Sequence, residues 1–389
     1  MASQLSICLA FFISLLLAVV AFGQQESNAL CQYPSARVLD GCPRNTVLVG
    51  QNSTSTIFRT IQNAILSLPN DNTSQTILVL PGNYTEQLNV TRKGPITLLG
   101  VTRNPRDQAA NMVMVNWNSA NGAGSGFNDN AYTSVLTVAP NLNASLTGSG
   151  NTGFPVPADT PFGNTDFRAY NIDFRNNFAP RAAGPSLAET EANEELEQDT
   201  VYIGKLGNAF FYGAEIAGQT DFLYGFGTAW IEHSNLTLRG CGGGVIAWKG
   251  TNTTSFPNKY GCYISNSFLN AANASIAPSM KGKCSLGRPW NAQHRSVYMN
   301  TWMDASILPA GYTKWTNNPA TNNYNNYTIM AEYGSSGPGF NLTARLAGNV
   351  SKELNATTVR PYDSPRDVFM TPNGQQPDVA WIDESMMKC

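Results

Sequence analysis

Two aspartates carry most of the chemistry legible in this chain. Asp199 stands in Gln198-Asp199-Thr200-Val201-Tyr202, and Asp221 in Asp221-Phe222-Leu223-Tyr224-Gly225, further on by 221 − 199 = 22. Two carboxylates held close together resist double ionisation, so one keeps its proton while the other stays charged. The charged one is then a nucleophile, and the protonated one an acid that later turns base. Arg288, in Gly287-Arg288-Pro289-Trp290, follows Asp221 by 288 − 221 = 67 and suits the task of holding one carboxylate ionised. Taken singly, each string reads as a solvated turn. The three in register do not.

The elements that must position them are short strands. Apolar runs of strand character, each broken by Gly, Asn, Asp or Pro, cover 76–80, 96–101, 134–138, 167–174, 209–216, 229–238, 261–269 and 295–303. Helical spacing is confined to 56–68, where Ile57, Ile61, Ala64, Ile65 and Leu68 recur. A sandwich or barrel would satisfy the strand count. A recurrent phrasing favours a solenoid: Tyr170-Asn-Ile-Asp-Phe, Gly213-Ala-Glu-Ile, His233-Ser-Asn-Leu and Ile264-Ser-Asn-Ser-Phe each set small or polar residues just before an apolar one. From Ile216 to Leu236 the period is about 20 residues, within the range of solenoid coils. The expectation is an all-β chain wound as a right-handed parallel β-helix, with the early helix capping the first coil and Asn stacked at coil corners. The step from Asp199 to Asp221 then spans one coil and the step on to Arg288 about three, so all three side chains return to one face.

Composition narrows the class. Of 389 residues 42% are hydrophobic and 13% charged, with a net charge of −2, which disfavours a nucleic-acid partner and disorder. Two histidines, His233 and His294, argue against a His-rich metal centre. Residues 1–23 read as a signal peptide, leaving 24–389 as one domain, with no membrane association after its removal. Six cysteines then remain, and closeness in sequence favours Cys31–Cys42 and, more weakly, Cys262–Cys284. Twelve Asn-x-Ser/Thr triplets, from Asn52 to Asn355, fit a glycosylated extracellular protein. Gly148-Ser-Gly-Asn-Thr-Gly153 lacks the following helix that a dinucleotide loop needs. No G-x-S-x-G string offers a serine nucleophile.

With these strings in place the chain resembles the pectin methylesterase (pectinesterase) family. The family carries G-x-Y-x-E, Q-D-T-L-Y, D-F-I-F-G and L-G-R-P-W in this order. Here they read Gly82-Asn-Tyr-Thr-Glu86, Gln198-Asp-Thr-Val-Tyr202, Asp221-Phe-Leu-Tyr-Gly225 and Leu286-Gly-Arg-Pro-Trp290. Pro309-Ala-Gly-Tyr312 stands where the family has P-x-G-W. The resemblance implies hydrolysis of galacturonate methyl esters, without a metal or other cofactor, by a protein secreted to the cell wall and expected to be a monomer. It implies Asp221 as nucleophile, Asp199 as acid then base, Gln198 as oxyanion donor and Arg288 as the group orienting Asp221. Arg288, Trp290, Tyr312 and Tyr202 would line the bed for methyl-esterified homogalacturonan.

One stretch departs from the family. A coil opening with Q-A-V-A-L, whose Gln also binds the oxyanion, should precede Gln198. Here Gly184-Pro-Ser-Leu-Ala188 puts Pro185, which has no donor, at that place. An acidic run with Glu189, Glu191, Glu194, Glu195 and Glu197 follows, within a strand-poor stretch over 180–197. The expectation is an esterase weaker than relatives that keep the coil. The alternatives are an inactive pectin-binding relative, or a lyase or polygalacturonase on the same solenoid.

Overall fold

The computed structural model describes residues 28–51, 58–121, 129–147, 163–178, 200–204, 207–250, 259–318, 320, 323–371, 376–383 and 386–387. The leader over 1–23, the acidic stretch, Gln198 and Asp199 lie outside the described residues.

Short strands stack in parallel, each pairing with a strand one coil away instead of its chain neighbour. Val201–Ile203, Leu223–Gly225, Ile246–Trp248 and Gly287–Pro289 make one sheet. Asn208–Tyr212, Thr228–Glu232, Gly261–Ser265, Arg295–Met299 and Ile329–Tyr333 run through a second. Glu215–Thr220, Asn235–Gly242, Phe268–Ala271 and Trp302–Met303 make a third. This is the parallel β-helix that the phrasing implied. Ile216 pairs with Leu236, the period expected. The next coil is longer, since Leu236 pairs with Leu269.

Most of the long runs read as single strands are two strands meeting at a left-handed corner. The corner residues are Asn171, Gly213, His233, Asn266 and Asn300, with φ of 55°, 61°, 50°, 47° and 48°. Asn and Gly tolerate this region best, which is why the recurrent phrasing centres on them. The corners are laddered. Asn300 Nδ2 donates to Asn266 Oδ1 at 3.3 Å, and Asn266 Nδ2 to Glu232 Oε1 at 3.2 Å. The Ala214 and Ser234 amides each donate, at 3.1 Å, to the serine hydroxyl one coil on, Ser234 and Ser267. Polar groups left free by each bend are thus satisfied.

The early helix is shorter than its periodicity, Ile61–Ser67, with Thr60 Oγ1 accepting from the Asn63 amide. Both oxygens of Glu86 accept from the Ile61 and Gln62 amides at 2.9 and 2.8 Å. The glutamate of Gly82-Asn-Tyr-Thr-Glu86 therefore caps a helix N-terminus, where exposed N–H groups favour negative charge. Ile61, Ala64 and Ile65 are buried with Val49, Ile77 and Leu88. Each buried Ile, Val or Leu side chain here contributes about 1.5–3 kcal/mol.

The described strands form two stacks. The N-terminal one closes on Phe167–Tyr170 and Ile172–Asn176, and the other begins at Val201–Ile203. Among the described residues no sheet joins them. The interval falls where the family coil was found wanting. Other contacts span it: Arg168 pairs with Asp383 at 2.5 Å, and the Tyr170 hydroxyl donates to the same carboxylate at 2.6 Å. Phe369, Val379 and Ile382, near the C-terminus, pack on Trp230, Tyr263 and Val297 of the second sheet.

Cys31–Cys42 is a disulfide. Cys284, however, bonds to Cys241 rather than to Cys262, which is free and wholly buried. Stacking brings Cys241 and Cys284 to a Cα separation of 4.6 Å across a sequence separation of 43, a proximity that closeness in sequence cannot reveal. Cys262 instead faces inward with Ala229 and Ile264.

Candidate active site

Asp221 sits just before Leu223–Gly225, in the left-handed region at φ 49°. A non-glycine residue there costs about 1–3 kcal/mol, a strain that tends to persist at functional positions. The turn is held from the adjacent coil: the Asp221 amide donates to the Gly244 carbonyl at 2.6 Å, and the Gly244 amide returns a bond to Oδ1 at 3.1 Å. Arg288 takes both carboxylate oxygens, Nε to Oδ1 at 3.0 Å and an outer nitrogen to Oδ2 at 2.5 Å. Two-point contact of this kind fixes orientation as well as charge.

Arg288 arrives from two coils away, not three. Leu223–Gly225 pairs with Ile246–Trp248, which pairs with Gly287–Pro289. The interval from Asp221 to Arg288 fits because these later coils are longer than the one used to count them. The coil between carries the glycines of Gly240-Cys-Gly-Gly-Gly244, two of which lie directly in the path of the arginine. At Gly243 (φ 50°) a Cβ would lie 2.7 Å from the Arg288 guanidinium carbon and 2.7 Å from Asp221 Oδ1. At Gly244 it would lie 2.6 Å from the Gly287 Cα. Only bare backbone lets the arginine reach across.

Burial lifts the Asp221 pKa above the ordinary aspartate range, and Arg288 and the Gly244 amide pull it part of the way back. The carboxylate is thus a poorly solvated anion steadied by a guanidinium, a state that makes a carboxylate reactive.

Register explains the surface beside it. Tyr202, Tyr224, Ala247 and Arg288 pair in one row across four strands. Side chains two residues on share the face, so Phe226, Lys249 and Trp290 form the next row. Ring centroids lie 5.0 Å apart for Tyr202–Tyr224, 5.8 Å for Tyr224–Trp290 and 5.4 Å for Phe226–Trp290. Trp315 stacks on the Arg288 guanidinium at 4.3 Å from its centroid. From the N-terminal stack, Asn130 Nδ2 donates to the Tyr224 hydroxyl at 3.2 Å, and the Tyr202 hydroxyl donates to the Leu146 carbonyl at 3.4 Å.

Of the residues singled out by sequence, Asp221, Arg288, Trp290 and Tyr202 gather on this face. Tyr312 does not. It is 1% exposed, its hydroxyl donating to the Ser296 and Ala331 carbonyls at 3.3 Å, so it offers no ring face to a sugar. Gly311 beside it (φ 75°) leaves room for Arg345, since a Cβ there would lie 2.5 Å from Nε. Pro309-Ala-Gly-Tyr312 therefore wraps a buried ion pair, Arg345–Glu332 at 2.6 Å. His294 is buried too, its Nε2 2.7 Å from Ser296 Oγ, and burial lowers its pKa to about 3, leaving it neutral. Sequence reasoning missed Trp315 and Lys249, and read Gly240-Cys-Gly-Gly-Gly244 as a tight bend without its part in the site. Strand alternation from Arg288 would have found Lys249; nothing local marks Trp315.

A stack of parallel coils with a buried aspartate–arginine pair beside an aromatic face defines a parallel β-helix protein with a candidate active site on one sheet. Residues 187–366, a little under half of the chain, match the family model described as Pectinesterase. The chain is 26% identical over 325 residues to probable pectinesterase A of Aspergillus niger, covering 82% of this chain and 86% of that protein. It is 28% identical to a probable pectinesterase/pectinesterase inhibitor of Arabidopsis thaliana, over 49% of this chain but 34% of that longer protein. The crystal structure of the Aspergillus niger pectin methylesterase superposes with a TM-score of 0.65 at 21% identity, covering 88% of this chain and 98% of that one.

Proposed function

We propose that this chain is a secreted esterase that hydrolyses galacturonate methyl esters of pectin to free carboxylate and methanol. The observation that carries the reading is the two-point grip of Arg288 on a buried Asp221. In the proposed first step an Asp221 oxygen attacks the ester carbonyl carbon, and the C–OCH3 bond breaks as Asp199 gives its proton to the leaving methoxide. Asp221 is then joined to the galacturonyl carbon as an anhydride. Asp199, now charged, takes a proton from water, whose oxygen attacks that carbon, releasing the galacturonate carboxyl and Asp221. Gln198 donates to the oxyanion in both tetrahedral states.

Support for Asp199 is the constancy of the strand offset. Val201, Tyr202 and Ile203 pair with Leu223, Tyr224 and Gly225, each pair at the same sequence offset that relates Asp199 to Asp221. Trp290 and Tyr202 supply the apolar face for the sugar. Two disulfides support an oxidising destination. So does the exposure of Asn72, Asn143, Asn273 and Asn326, all heading glycosylation triplets.

A second reading, a pectin binder without turnover, draws on the lack, among the described residues, of a sheet joining the two stacks. Methanol assay on methyl-esterified pectin decides. The esterase reading expects release by the wild-type chain and its loss in Asp221→Asn with pectin binding kept; binding with no methanol from wild type would favour the alternative.

A further inference from the structure

We propose that Lys249 is a specificity residue, its ammonium recognising a free carboxylate on the uronate unit next to the ester under attack. The inference rests on the pectin-ester reading above and deepens it.

Lys249 is half-buried on the outer face of the site sheet. Its Nζ lies 3.8 Å from the Trp290 ring centroid and 4.7 Å from that of Phe226. Lys259 and Lys352, by contrast, donate to the Pro361 and Thr328 carbonyls. Among the described residues no carboxylate pairs with Lys249. Aromatic faces hold a cation in place without neutralising it, so the positive charge is seated but unspent. Burial already draws its pKa down, a cost that an incoming anion would offset.

The position fits a neighbouring sugar. Among the described residues, Arg288, the other cation of this face, is committed to Asp221. Lys249 belongs to the row two residues further along the strands, about 7 Å away, on the order of one pyranose unit. Every unit of a polyuronate carries either an ester or a carboxylate. An ammonium one unit from the reacting ester therefore distinguishes a partly de-esterified chain from a fully esterified one.

The test is calorimetric binding of an unesterified galacturonate oligomer to the full chain, for wild type, Lys249→Met and Lys249→Arg, at low and high salt, with thermal unfolding as a folding check. Methionine keeps an apolar stem on the rings, and arginine keeps the charge. The expected result is about tenfold weaker binding for Lys249→Met, loss of most of the salt dependence, and recovery in Lys249→Arg. The ratio of kcat/KM on partly de-esterified to fully esterified pectin falls in parallel. Wild-type affinity and salt dependence in a folded Lys249→Met chain overturn the inference, even where methanol release proceeds. A wild-type chain that releases no methanol yet shows Lys249-dependent binding overturns the esterase reading alone.

Discussion

Arg288 reaches Asp221 across an intervening coil, closing on both carboxylate oxygens at 3.0 and 2.5 Å. Neither residue is near the other in sequence, and neither could meet the other if the coil between them carried side chains at 243 and 244. The pair is a product of the winding. Its chemistry follows from what the winding denies it: most of the solvent around the carboxylate, and, among the described residues, any second acid partner for the guanidinium.

Asp221→Asn keeps the size and the Gly244 contact but removes the anion. Turnover falls on the order of a thousandfold or more, the scale of losing a nucleophile. Stopped assays of methanol release, beside a thermal unfolding curve, check it. A folded variant within tenfold of wild type contradicts the assignment.

Gly243→Ala is a sharper probe because the residue touches no substrate in this account. The new Cβ cannot fit between Arg288 and Asp221, and the left-handed backbone costs about 1–2 kcal/mol. The expected outcome is a stability loss of that size with kcat reduced about tenfold to a hundredfold through misplacement of the carboxylate. Unchanged kcat at the lowered stability would show that the clamp geometry is not needed.

The pH profile follows from burial. In the proposed mechanism Asp221 attacks only when ionised, and burial lifts its pKa above the ordinary aspartate range. Activity is therefore lost as pH falls through that raised value, and the acid limb of kcat/KM lies higher than an exposed aspartate would give. Arg288→Gln removes a group that favours the anion, so the limb moves to still higher pH. A limb that stays put or moves down in this variant contradicts the assignment.

Arg345 and Glu332 are each 1% exposed and bonded at 2.6 Å, with Arg345 also donating to the Leu308 and Pro309 carbonyls at 2.9 and 2.6 Å. Arg345→Ala strands a buried carboxylate and is expected to cost about 3–5 kcal/mol. The double change Arg345→Met with Glu332→Leu recovers much of it. Urea midpoints of the three chains test this.

The solenoid was legible because its corners obey backbone sterics. Asn171, His233, Asn266 and Asn300 sit where a left-handed turn is required, and the coil from Ile216 to Leu236 revealed the period. What stayed hidden depended on chain outside the repeat. Later coils carry extra residues, so the count to Arg288 ran one coil too far, and Cys241 rather than Cys262 met Cys284. Tyr312 misled for another reason. A motif position shows that an aromatic belongs there, while the direction it faces is set by Gly311 and Arg345, which lie apart in sequence. Glu86 is the reverse case, a motif residue whose task is to cap a helix.

The nucleophilic role of Asp221 is tested most directly by quenching the chain with borohydride during turnover on methyl-esterified oligogalacturonate, then mapping peptides by mass. Hydride reduces an acyl-activated aspartate to homoserine and leaves a free carboxylate alone. Homoserine at position 221, formed only with substrate present, is the predicted result. An unmodified Asp221 in a sample releasing methanol under the same conditions would contradict it.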